Sequence, residues 1–316
     1  MLRPWLMGFL ALGLGVGSAV AQNAPPPTTQ TPPASSDDTP QEPPVATVDD
    51  VLVVGGALEK LAENFVTSLA APARRRGLAR WEGEVCLGVV NFRAGVAHLI
   101  IDRITDVARE LEMELGEPGC EPNVVIAGTT DASRLARDMV GRYRSNFFRY
   151  GYTSSNRGSA ALEAFQTSDA PVRWWHVSLP IVVETGAAAI RLPGRGPVEA
   201  HCRTRSGYWA RNCDEVTDRI MRMITIVDID GLENVNLAEL ADYLALITLA
   251  QVEPDADYSG FDTVLNLFDP AIAVSGLTDW DMIYLRALYS GEAEHLTAAE
   301  QADRMVSELR EPPARD

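Results

Sequence analysis

The sequence predicts an α/β fold in a single globular domain, and three observations lead to that prediction. Short apolar strand-like runs alternate with amphipathic helical stretches in the first half of the chain. A nearly all-apolar helical stretch follows at residues 237–250, and a helix without a polar stripe needs other elements around it. The remaining chain is helical and acidic. An α+β arrangement is the alternative.

The first 21 residues have the features of a secretory signal peptide. Arg3 precedes an apolar run, and Ala19-Val20-Ala21 fits the A-x-A cleavage pattern. Four glycines interrupt the apolar run, which disfavours the alternative of a membrane anchor. We therefore expect an exported protein, periplasmic or secreted, without a transmembrane segment once the signal is removed.

A proline-rich linker is predicted between this signal and the domain. Residues 22–47 carry eight prolines and almost no large apolar side chain, so they cannot fold by burial. We expect a disordered tether there, a globular domain over 48–311, and a short tail at 312–316.

The order of elements in the domain predicts a mixed sheet. A strand, an amphipathic helix, a second strand and a third helix follow one another, which implies neighbouring parallel strands. The predicted sheet strands are residues 84–90, 123–127, 172–179 and 224–229, with a further β-like run at 49–54. The predicted helices are residues 57–69, 93–115, 131–144, 237–250, 263–268, 278–289 and 297–309. Residues 185–213 are rich in Gly, Pro and Arg and are expected to be irregular.

Residues 237–250 are the predicted centre of the domain. Asn236 is a suitable N-cap, and eleven of the fifteen residues from Leu237 are apolar. Two later helices begin with capping-box patterns, Thr278 with Asp281 and Thr297 with Glu300.

Four cysteines in an exported chain predict disulfide bonds. We expect Cys86 to pair with Cys120 and Cys202 with Cys213, because each pair brackets a local unit. A zinc site is the alternative, but the spacing contains no CxxC or CxH pattern.

Charge indicates the kind of partner. The net charge is −17, and residues 214–316 hold 22 acidic side chains against 6 arginines. Nucleic acid is excluded as a partner, since phosphate binding needs clustered Lys and Arg. A basic protein partner or divalent cations fit the acidic part better.

The strand VRWWHVSL supplies the candidate binding residues. Its alternation places Trp174, His176 and Ser178 on one face and Trp175 on the other. These four residues are the candidate binding surface. The alternative is that both tryptophans pack in the core and the histidine is hydrogen-bonded there.

One acidic loop resembles the start of a calcium site. Asp255, Asp257 and Ser259 fit the opening D-x-D-x-S-G of a calcium loop. Asn266 stands where the bidentate Glu is required, so we expect weak calcium binding at most and no other cofactor. The alternative is an acidic turn in which Asp262 caps the next helix.

The sequence lacks the common catalytic patterns. The four histidines include no HExxH pair, and no GxSxG nucleophile elbow occurs. His98 and Asp102 lie one helical turn apart, which is typical of an exposed surface pair. Acidic residues at helix starts are explained by the helix dipole.

Several stretches together resemble an uncharacterised family of exported alphaproteobacterial proteins. These stretches are PGCEPNVVI, FQTSDAPVRWWHV, LAELADYLALITLAQVEPDAD, FDTVLNLFD and GLTDWDMIYLRALY. The strand and buried helix are also similar in arrangement to zinc-metallopeptidase-like domains, but LADYLALI replaces HExxH. The resemblance implies no known activity and no functional residues.

Two functions follow as hypotheses. The first is a non-catalytic envelope or periplasmic protein that acts as an accessory or partner-binding module. The second is a hydrolase-like enzyme with an unrecognised site on a degenerate metallopeptidase-like fold. The first is favoured because no catalytic spacing groups the necessary residues.

Overall fold

Two sheets and seven α-helices make up the part of the chain that the computed structural model describes. The strands are β1 (Leu87–Val90), β2 (Val124–Thr129), β3 (Val172–Val182), β4 (Ala189–Arg191), β5 (Ala200–Arg203), β6 (Trp209–Arg211) and β7 (Val216–Asp228). The helices are α1 (Val48–Leu69), α2 (Ala94–Glu110), α3 (Ala132–Arg142), α4 (Ser159–Thr167), α5 (Leu237–Leu249), α6 (Asp279–Tyr289) and α7 (Ala298–Arg310).

The structure describes residues 48–72, 76–143, 157–191, 200–203, 209–211, 216–291 and 296–310. The predicted signal peptide, linker and tail lie outside these residues, and so does Cys213. The described residues belong to one compact unit. Across these ranges, none of the helices combines the length and the apolar character that crossing a bilayer requires.

The main sheet confirms the predicted α/β class. Its order is β1-β2-β7-β3, in which β1, β2 and β7 run parallel and β3 runs antiparallel to β7. Helices cover both faces: α2 and α5 pack on one, and α3 and α4 pack on the other. Trp174 belongs to the first core and Trp175 to the second, as the predicted alternation along β3 requires.

Helix α5 is the buried centre of the larger core. Asn236 is its N-cap and accepts a hydrogen bond from the Ala238 N–H at 2.8 Å. Nine of its thirteen residues are buried, and Leu244 and Leu246 are completely inaccessible. The prediction of a buried central helix is therefore confirmed.

Three local predictions are wrong. Residues 49–54 form the first turns of α1 instead of a β-like run, because the helical pattern of 57–69 continues back through them. The segment predicted to be irregular contains β4, β5 and β6, which form a small antiparallel sheet. Residues Val264–Phe268 form a 3₁₀ segment capped by Thr263, not by Asp262.

The acidic back half is helical, as predicted. Both capping boxes are present: Thr278 with Asp281 opens α6, and Thr297 with Glu300 opens α7. The carboxylate of Asp281 is fully buried and also accepts the Val264 N–H at 2.8 Å, so it joins the 3₁₀ segment to α6.

The disulfide predicted between Cys86 and Cys120 is present. Its Cα atoms are 6.1 Å apart, and it links the approach to β1 with the segment before β2. The bond therefore closes the β1-α2-β2 unit. The second predicted pair, Cys202 with Cys213, lies outside the described residues because Cys213 does.

We expect the double variant Cys86→Ala/Cys120→Ala to lose up to about 4 kcal/mol of unfolding free energy, because the unfolded chain regains the entropy of an open loop. Urea denaturation of the oxidised wild type and of the variant measures this difference. A loss below about 1 kcal/mol would mean that the disulfide bond is not a main source of stability for the β1-α2-β2 unit.

Candidate functional site

The four predicted binding residues on β3 lie inside the domain. Trp174, Trp175, His176 and Ser178 are 5, 3, 9 and 0% exposed. Helix α5 covers one face of β3 and α4 covers the other, so neither face of the strand is left for a partner. The Trp174 indole instead donates to the Val252 carbonyl at 3.0 Å. These four side chains therefore pack in the core, which is the alternative given for them above.

Ser178 belongs to a buried polar cluster, which we call the β3 polar cluster (Arg76, Ser178, Asp218 and Gln251). Arg76 donates from Nε to the Asp218 carboxylate at 2.8 Å and from Nη2 to the Ser178 hydroxyl at 2.7 Å. Gln251 donates to the same hydroxyl at 3.1 Å. The side chains of the ion pair are 0 and 1% exposed. The Ser178 hydroxyl is thus held by two donors, which is the arrangement of a structural group.

His176 lies on the same strand, and its side chain is buried. Burial lowers the pKa of His176 to about 3, and a hydrogen bond with the Ile247 backbone only partly opposes this. The imidazole borders a cavity of about 10 Å³, far below the volume of about 300 Å³ or more that holds a substrate. Asp228 contacts the α3 N-terminus and not His176. The histidine therefore stays neutral in a packed environment.

This burial predicts that acid destabilises the domain. The unfolded chain takes up a proton near pH 6.5, whereas the folded imidazole binds one only near pH 3. Stability is therefore lost as the pH falls below 6.5, by about 1.4 kcal/mol per unit, or about 2 kcal/mol by pH 5. Urea denaturation of the wild type at pH 6.5 and at pH 5 measures the change in unfolding free energy.

The matched control is His176→Gln, which removes the titrating group. The buried carboxyl of Asp281 has a raised pKa caused by desolvation, and its effect runs in the opposite direction because the folded state then binds that proton more tightly. Asp281 is the same in both chains, so the difference between them isolates His176. If the unfolding free energies of the wild type and of His176→Gln changed equally with pH, the assignment of the acid effect to His176 would be wrong.

The candidate calcium residues lie in the turns that precede the 3₁₀ segment. The Asp257 carboxylate accepts the Ser259 N–H at 3.0 Å, and these hydrogen bonds with Ser259 lower the pKa of Asp257. The side chain of Asn266 donates to the Phe261 carbonyl at 2.8 Å. Within the described ranges, no group of three His, Cys, Asp or Glu side chains is placed to hold a metal ion.

We expect millimolar calcium to leave the melting temperature of the wild type and of Asp255→Ala unchanged, because a ligand stabilises the fold by RT ln(1 + [L]/Kd), which is close to zero when Kd is well above the calcium concentration. Thermal denaturation with calcium and with a chelator measures this. A rise of several degrees that Asp255→Ala abolishes would establish a calcium site instead.

The carboxyl edge of the parallel strands is the usual ligand site of such sheets. Here its acidic residues cap α3. Asp131 accepts the Arg134 N–H at 2.9 Å, and Asp228, at the end of β7, accepts the Ala132 N–H at 3.3 Å. Arg173 crosses the same edge to the Ser133 hydroxyl at 2.9 Å. These side chains fix a helix start and an edge strand.

A phenylalanine lies over the ends of β1 and β2. The helices that follow these strands, α2 and α3, pack on opposite faces of the sheet, which is the geometry that opens a ligand crevice. The Phe92 ring lies so close to Gly128 that a Cβ there would be only 3.0 Å from the ring. Phe92 therefore occupies the space beside β2 at this edge.

An open groove lies between α2 and α5, with a volume of about 450 Å³. We call it the α2–α5 groove. The α2 wall is a single stripe of residues, Gly95, His98, Leu99, Asp102, Arg103 and Asp106. The α5 wall is Ala238, Ala241 and Asp242. At 1.5 Å per residue the α2 stripe is about 16 Å long. The volume of the groove is in the range of ligand sites.

The groove is acidic, and one of its carboxylates, that of Asp242, is held by other groups of the domain. Arg103 pairs with Asp242, and the second oxygen of Asp242 accepts the Leu277 N–H at 3.2 Å. That carboxylate also lies against Gly276, whose φ of 120° favours glycine. Asp102 and Asp106 remain exposed on the α2 wall.

Sequence reasoning missed this groove. The interpretation of His98 and Asp102 as an exposed surface pair is correct for their exposure but leaves out the opposite wall of the groove. The available signal was the spacing of residues 95, 98, 99, 102, 103 and 106, which follows one face of a helix. The contribution of Asp242 depends on how α5 packs and has no local signal.

No protein-family model, curated protein or solved structure matches this chain.

Proposed function

We propose that this chain is an exported, non-catalytic globular protein that acts as an accessory or partner-binding module in the periplasm or outside the cell. One observation carries the proposal. At the carboxyl edge of the sheet, where an enzyme of this architecture would hold its substrate, Phe92 occupies the space beside β2 and the acidic side chains cap α3.

Two further features support a binding role. The only histidine on β3, His176, is neutral and borders a cavity too small for a substrate, so it is poorly placed for acid-base catalysis. The α2–α5 groove, in contrast, is open and has the volume of a binding site. The A-x-A pattern of the predicted signal peptide supports export.

The test combines a hydrolysis screen with partner capture. We expect the purified exported chain to hydrolyse none of a broad panel of peptide, ester and glycoside substrates. We also expect it to capture an envelope protein that binds again when both components are purified. Hydrolysis that is lost in Asp228→Asn or His176→Gln variants of unchanged melting temperature would overturn the proposal and favour the hydrolase-like alternative.

A further inference from the structure

The shape of the α2–α5 groove suits a rod-like segment of a partner. The groove runs along three turns of α2, and its α5 wall includes the small side chains of Ala238, which is exposed, and Ala241, which is fully buried. Small residues allow another backbone to approach closely, and Leu99 adds apolar surface beside them. A helix laid into a groove between two helices is a common mode of peptide recognition.

The charge of the groove selects the sign of that segment. Three carboxylates line it against one guanidinium, Arg103, which already pairs with Asp242. Asp102 and Asp106 lie one turn apart, so their carboxylates are about 6 Å from each other along the helix.

Asp106 can exchange its present ion-pair partner, Arg109, for an incoming cation. Its contact with Arg109 is 3.3 Å long, and both side chains are more than 60% exposed. Such surface pairs contribute little free energy, so an incoming cation displaces Arg109 at little cost.

The rest of the chain reinforces this preference. The net charge is −17, so a cationic partner is attracted from a distance as well as at the contact.

We propose that the α2–α5 groove binds a cationic helical segment of a partner protein, one that presents two Arg or Lys side chains a helical turn apart to Asp102 and Asp106. This inference rests on the proposed binding function and names the surface and the partner chemistry. Apolar side chains of the segment contact Leu99 and Ala238.

A designed peptide tests the inference directly. The probe is a fluorescein-labelled, alanine-rich helical peptide with two arginines at i and i+4 beside two leucines. The control peptide carries glutamates in place of the arginines. Fluorescence anisotropy with the exported chain measures both affinities at low and high salt. We expect the arginine peptide to bind, the affinity to fall with salt, and the glutamate peptide not to bind.

Matched variants locate the contact. Asp102→Asn/Asp106→Asn should weaken binding of the arginine peptide about tenfold, because two exposed charge contacts are lost. Glu117→Gln/Glu121→Gln removes the same charge from an exposed segment beyond α2 and should leave binding unchanged. Ala238→Trp fills the groove without a charge change and should abolish binding while the melting temperature is retained.

The inference is overturned if the wild type does not bind the arginine peptide, or if the Asp102→Asn/Asp106→Asn variant binds it as tightly as the wild type does. These results are distinct from failure of the proposed function. A purified envelope partner that still binds all three variants equally would contradict the groove and leave the binding function intact.

Discussion

Replacing Asp218 with alanine should cost about 3–5 kcal/mol of unfolding free energy, because it removes a buried carboxylate that is paired with the buried guanidinium of Arg76. The two side chains are 0 and 1% exposed, and Asp218 also accepts the Gly77 N–H at 2.8 Å. Urea denaturation of wild type and Asp218→Ala measures the loss.

Two controls separate this effect from a general loss of charge. The exposed pair of Arg286 and Glu110 is about half accessible on both sides, so Glu110→Ala should cost less than about 1 kcal/mol. The double variant Arg76→Met/Asp218→Leu replaces both ions with apolar groups and should recover much of the stability. If Asp218→Ala costs no more than Glu110→Ala, the structural role of the β3 polar cluster is wrong.

Replacing Leu244 with alanine should cost about 3–4 kcal/mol, because it opens a cavity at the centre of the larger core. Leu244 is completely inaccessible and belongs to the larger core, together with the buried residues Tyr243 and Ala245 that flank it in α5. Urea denaturation again gives the free energy of unfolding.

The matched control is Leu61→Ala on α1. Leu61 is 42% exposed, so the same chemical change should cost only about 0.5 kcal/mol or less. Similar losses at the two positions would mean that α5 is not the packed centre of the domain.

Much of the fold follows from local patterns in the sequence. The absence of a polar stripe predicts that α5 is buried, and the threonine caps at Thr278 and Thr297 define where α6 and α7 begin. The alternation along β3 places Trp174 and Trp175 on opposite faces. Each of these features depends on residues within a few positions of one another.

The remaining features depend on long-range packing. Alternation cannot tell whether helices cover both faces of β3, so the sequence does not decide whether the β3 tryptophans are exposed or buried, and the structure buries both. The partners Arg76 and Asp218 are 142 residues apart, and the α2–α5 groove joins Asp102 to a helix far along the chain. Residues 49–54 are apolar enough for either structure, and the neighbouring helix determines the outcome.

The central claim is that the polar residues of β3 and of the carboxyl edge are structural and that binding takes place in the α2–α5 groove. The most direct test is a map of amide chemical-shift changes when the ¹⁵N-labelled chain is titrated with the arginine peptide. We predict that the changes concentrate along residues 95–106 and 238–242. Changes concentrated along β3 or at residues 129–133 and 228–231 would contradict the claim.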